Sequence, residues 1–165
     1  MDWKYVKIGL IGLLAAGLGL SAIVGAARAE DRGLAGWEEG GKYDKHYNLA
    51  EYDSFKGTVE DIRDVTPMPG MAPGVMVIVR DRDDELVKVH LGPKSFVDLS
   101  SIGLKVGDDV KVKGAWAYIN KEDVVMASKI KKGEYEEIKV RLTKNGKPFW
   151  SMTPEQLAKE TSQDD

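Results

Sequence analysis

The sequence predicts an all-β fold, a small closed barrel, and three observations carry that expectation. From Phe55 onward, five separate runs have strand character, most of them alternating apolar and polar residues with period two. Turn-forming clusters, among them Asp81-Arg82-Asp83-Asp84, Gly107-Asp108-Asp109 and "NKED", punctuate those runs. One short amphipathic stretch, "GPKSFVDLSS", falls after the third run. Three strands, a short helix and two strands follow the order of an OB-fold-like five-stranded Greek-key barrel.

Ile8 to Ala27 is a stretch of twenty residues without a charge, which at about 1.5 Å per helical residue matches a bilayer core of roughly 30 Å. Lys4 and Lys7 precede it and direct the rest of the chain outward. Residues 1–29 read either as a signal peptide, with Ala27-Arg28-Ala29 as the cleavage site, or as a retained transmembrane helix. Gly17, Ser21 and Gly25 supply the small-residue stripe of a packed membrane helix. On either reading the folded part is exported. Residues 30–54 form an aromatic-rich arm, irregular because of four glycines, whose Trp37, Tyr43, Tyr47 and Tyr52 are expected to lie on the barrel surface.

The barrel is expected over residues 55–151. "FKGTVEDI" is the first strand. "GVMVIVRD" is the second, its near-continuous apolar run implying cover on both faces. "ELVKVHL" is the third, with Val87, Val89 and Leu91 on the core face, Lys88 and His90 on the other, and Gly92-Pro93 as its break. In the fourth, Val110, Val112, Trp116 and Tyr118 are in phase, and "VVMASKIKKG" is the fifth. "YEEIKVRL" and "KPFWSM" flank "TKNG", and Asn145-Gly146 signals an added hairpin between them. In residues 152–165, Thr153-Pro154-Glu155-Gln156 opens a short helix before a fraying tail.

Composition narrows the function. The chain has 24 basic and 27 acidic residues, a net charge of −3. Without Lys4, Lys7, Arg28 and Asp2 the counts are 21 and 26, a net charge of −5. That balance argues against nucleic acid as a partner, as does the absence of aromatics from the second and third strands. With no cysteine there is no disulfide and no haem attached through C-x-x-C-H. No HExxH, GxSxG or phosphate-binding loop is present. The paired acids sit in turns, so the chain reads as a non-enzyme.

Two sets of residues remain as candidate sites. The "TPMPGMAPG" loop is stiff and partly apolar; with His90, its Met68 and Met71 form a thioether–imidazole set suited to a soft cation such as Cu(I). The alternative is that the methionines plug the barrel end and His90 braces a strand end. Iron is a weaker fit to these ligands. Trp37, Tyr43 and Tyr47, with Asp81, Asp83 and Asp84, are candidates for contact with a partner or a surface.

The blocks "GTVEDI", "TPMPGM-x-x-GV", "VKVHLGPKSF", "GDDVKVKG", "ASKIKKG" and "KNGKPFWS" resemble the exported C-terminal domain shared by the magnetosome proteins MamS and MamX, over roughly residues 36–151. The hydrophobic N-terminus and small size suit the MamS type. The MamX type carries haem-attachment motifs that a chain without cysteine cannot supply. The resemblance implies a magnetosome-membrane setting with the domain in the lumen or periplasm, other magnetosome or periplasmic proteins as partners, and a role in magnetite crystal maturation. It supplies no catalytic residues.

Overall fold

The computed structural model describes residues 33–162. The stretch expected to be a signal or anchor, residues 8–27, lies outside them. Among the described residues no helix is long and apolar enough to cross a membrane.

Six strands form one sheet: β1 Tyr52–Val65, β2 Gly74–Asp81, β3 Leu86–Pro93, β4 Asp109–Ile119, β5 Glu122–Lys132 and β6 Glu136–Lys139. The first five close into a ring in the expected OB-like order. β1 pairs antiparallel with β2 and β4, β2 with β3, β4 with β5, and β3 meets β5 in parallel through Val89↔Val125 and His90↔Met126. β1 can serve two neighbours because it bends. A register shift between Val59 and Asp61 marks a bulge, and a bulge locally increases bend and twist. At Gly57, paired to both Asp81 and Val110, a Cβ would stand 2.2 Å from the Arg80 carbonyl oxygen. Only glycine fits where the two ladders converge.

Alternation sends Val59, Val77, Val79, Val89, Val112 and Ile130 inward, all essentially inaccessible. A 3₁₀ turn at Leu99–Ile102, capped by the Asp98 carboxylate accepting from the Ser100 amide, brings Ile102 and Leu104 onto the same core. It stands where the short amphipathic helix was expected.

Four local expectations change. The third strand does not stop before Gly92-Pro93; pairing continues to Gly74↔Pro93, since a proline in the last position removes only one donor. Trp116 and Tyr118 are not core residues but 36% and 63% exposed. The extra residue at the nearby ladder shift is Ser128 on β5, so β4 keeps its phase; Trp116 and Tyr118 are exposed because β4 runs on past its last pair with β1, Tyr52↔Ala115. The C-terminal hairpin reduces to one bridge, Arg141↔Pro148. Glu136–Lys139 pairs with β5 instead, and Phe149–Ser151 curls into a 3₁₀ turn that buries Phe149. Finally, β1 begins at Tyr52, within the stretch assigned to the arm.

α1, Pro154–Thr161, starts as expected, with a capping box between Thr153 and Gln156 and proline in the first turn.

Candidate functional site

The distinctive chemistry of this chain lies outside the barrel core, in a second cluster beneath the arm. Trp37, Tyr43, Ile119, Val124 and Met126 are buried together, with Tyr47, Met68, Met71 and Trp150 packed against them. Strand alternation explains their position. Val125 points into the barrel and Met126 out of it, and on β3 Val89 points in and His90 out. An outward apolar row needs cover, and the arm provides it.

Trp37 anchors the arm. Its indole nitrogen donates to the Ala72 carbonyl at 2.9 Å, and its own carbonyl accepts from the Trp150 indole at 2.7 Å. Its ring lies over Gly74, where a Cβ would come within 2.3 Å of it. Tyr43 packs edge-on against Trp37, with centroids 4.8 Å apart. Its hydroxyl is hydrogen-bonded to Nδ1 of His90 at 3.2 Å. Burial pushes the Tyr43 phenol well above its ordinary range and holds the His90 imidazolium down at about 4, with Glu122 opposing that shift and Lys88 reinforcing it. The histidine is therefore a neutral ring at pH 7, joined to a neutral phenol.

A buried cation closes the other end of the seam. The Arg141 side chain is 2% exposed. Its Nη1 donates to Asp44 Oδ1 at 2.5 Å and to the Gly146 carbonyl at 2.9 Å. The guanidinium lies 5.0 Å from the centroids of both Tyr47 and Trp150, a double cation–π contact. Tyr47 in turn rests on Gly146, where a Cβ would fall 2.4 Å from the ring, so the Asn145-Gly146 turn doubles as a platform for the arm.

The Tyr47 hydroxyl is buried without a well-formed hydrogen bond; burial pushes its pKa up to about 12, with Arg141 and the nearby Ser128 side chain opposing the shift. An unsatisfied buried hydroxyl carries a desolvation penalty. Tyr47→Phe keeps the ring over Arg141 and is expected to raise stability by about 1 kcal/mol in denaturant titrations. A loss of that size would show that the hydroxyl has a partner in solution.

Met68, Met71 and Tyr43 meet in one cluster, and His90 joins it through the Tyr43 hydroxyl. Two methionines that sequence reading passed over flank the histidine in register: Met76 on β2 and Met126 on β5. The signal was a period-two phase placing Met76 and His90 on one face. Among the described residues no group of three or more His, Asp or Glu side chains is arranged to hold a metal.

Trp37 and Tyr43, 1% and 2% exposed, are taken up by the chain's own packing, because they cover the outward row of β3 and β5; they are not available as surface contacts. Of the acidic turn, Asp81 accepts the amides of Asp83 and Glu85 at 2.9 Å, and Asp84 pairs with Arg80. Asp83 is exposed.

No curated protein matches this chain. A sequence profile of the MamS/MamX magnetosome protein family matches residues 51–136, a little over half of the chain, from the last residue of the arm through all five ring strands to the start of β6.

Proposed function

The chain belongs to the MamS/MamX magnetosome protein family, and we propose that it is a non-catalytic accessory protein whose exported barrel supports maturation of the magnetite crystal. The observation that carries this reading is the family match over the whole barrel. Membership supports a magnetosome-associated role. The lumen or periplasm as the domain's location and other magnetosome proteins as its partners belong to the proposal. So does the MamS type, favoured by the lack of cysteine. A non-catalytic role is consistent with the chemistry of the seam: its histidine is neutral, bonded to a tyrosine, and walled in by apolar side chains.

Deleting the coding sequence in a magnetite-forming host and measuring crystals by electron microscopy tests the proposal. Smaller or misshapen crystals, restored by the full chain, are the expected result. Crystals of normal size and number in the deletion strain would overturn it.

One observation favours a second reading, a soft-metal module. His90 has a methionine opposite it on each neighbouring strand, Met76 and Met126, and Met68 and Met71 lie in the same seam. Thioethers with an imidazole suit Cu(I). If this reading holds, titrating the full chain with Cu(I) against a chromophoric chelator gives stoichiometric binding that His90→Gln abolishes. Retention equal to that of the variant would exclude it.

A further inference from the structure

The outer face of β1, β4 and β5 carries lysines where a stable sheet would avoid them. Lys56, Lys111 and Lys131 stand directly opposite one another across the three strands, and one row along, Lys113 faces Lys129. Like charges directly opposite in an antiparallel pair are destabilising, and here they occur in two successive rows. Glu137 on β6 stands directly opposite Lys131 and pairs with Lys129, so it offsets part of the charge at the β5 edge of both rows. Among the described residues, Lys56, Lys111, Lys113 and Lys131 have no carboxylate within salt-bridge distance, and neither does Arg82 beside them.

This face is also concave. Two hollows, of about 510 and 450 Å³, share Lys56, Asp81, Arg82 and Lys111 and so form one extended groove. From this juxtaposition we infer that the groove is a docking site for an extended, acidic segment of a partner protein.

The geometry selects that occupant over other anions. Adjacent strands lie about 4.8 Å apart, so Lys56 and Lys131 stand about 10 Å apart at the backbone, a spread that a row of separate carboxylates matches more evenly than a single phosphate. Successive rows lie about 7 Å apart along the strands, the spacing of same-side residues in an extended peptide. Asp81 and Asp109 line the groove among the cations, and the chain as a whole is acidic. Such a mixed border repels a uniformly charged duplex or bilayer but accepts discrete carboxylates placed between its acids. The groove also lies far from Gly33, the first of the described residues. Gly33 is held by Ser95, beyond the Pro93 end of β3, whereas the groove lies at the Asp81 end of β2. The eight-residue strand between them spans about 25 Å.

The test is fluorescence anisotropy of a dye-labelled peptide alternating Asp and Ser, titrated with the full chain in non-ionic detergent. Saturable binding that weakens at least about tenfold from low to high salt is expected. The Lys111→Gln, Lys131→Gln double variant should lose at least about tenfold in affinity while its thermal midpoint holds or rises, because the opposed charges are gone. A Lys88→Gln, Lys94→Gln variant, equal in net charge but altered elsewhere, should bind like the parent. Equal binding by parent and groove variant would overturn the inference, as would equal losses in both double variants. Inorganic phosphate or anionic phosphatidylglycerol vesicles binding tighter than the peptide, with the same dependence on Lys111 and Lys131, would overturn it too. The outcome does not depend on any role in crystal growth.

Discussion

Arg141→Ala is expected to lower the unfolding free energy by about 3–5 kcal/mol, as is Asp44→Ala. The two substitutions act through the same physics from opposite ends. A guanidinium with 2% exposure has given up its water, and what replaces it is one carboxylate, one carbonyl and two aromatic faces. Removing Asp44 leaves a buried cation with a single acceptor. Removing Arg141 strands the Gly146 carbonyl and opens a void between Tyr47 and Trp150. Arg141→Met fills that void without a charge, so it should be milder than Arg141→Ala, because an apolar isostere avoids the desolvation of the ion. Equilibrium denaturation of the three variants checks the order. If Arg141→Ala costs less than about 1 kcal/mol, the pair is solvated and the arm is not clamped in the way described.

This clamp marks the boundary of what the sequence could reveal. Strand runs were legible because each carries its own period: Val87, Val89 and Leu91 identify a core face without reference to any other strand. Local devices were equally legible, since the Thr153–Gln156 capping box closes within one turn. The bulge at Lys113/Gly114 was not. It depends on Gly114 meeting β5, where a Cβ would lie 2.3 Å from the Met126 carbonyl oxygen, and that contact spans the β4–β5 hairpin. Nor was the end of the β1 ladder at Tyr52↔Ala115 legible: alternation kept Trp116 and Tyr118 in the core phase, but β4 has outrun β1 there and both side chains are exposed. Residues far apart in the chain were harder still. Asp44 and Arg141 are 97 positions apart and Tyr43 and His90 are 47 apart, and neither pairing leaves a local trace. The aromatic density of the arm did announce that it packs on something. His90 could be assigned to the face opposite Val89, but whether that face meets solvent or the arm is decided by the tertiary fold. The lysine rows show the same limit. Each lysine is an ordinary outward strand residue, and only the ring's register sets Lys56, Lys111 and Lys131 in a line.

His90 makes the stability of the chain depend on pH between neutrality and about 4. In the unfolded chain its imidazole has the ordinary pKa of about 6.5, whereas burial under the arm holds the folded value at about 4. Between those values the unfolded state binds the additional proton, so acidification favours unfolding. The contribution is fully present above pH 6.5, declines as pH falls through the window, and is fully lost below about pH 4. The separation of the two values corresponds to about 3 kcal/mol. Protonation also turns Nδ1 from a group that can accept from the Tyr43 hydroxyl into one that can only donate, so the hydrogen bond must reverse direction or break. The charged groups nearest in the balance are Lys88, which disfavours the imidazolium, and Glu122, which favours it and is itself held by Lys88 at 2.6 Å. His90→Gln retains a partner for Tyr43 and cannot titrate. Denaturant titrations at a series of pH values should therefore show the parent losing about 3 kcal/mol more than His90→Gln between pH 7 and 4. Carboxylates held below their ordinary range, such as Asp98 and Asp108, are common to both proteins and cancel in the difference. Parallel stability curves would mean that the imidazole is solvated in the folded state, and the arm would then have to lie off the barrel wall at Tyr43.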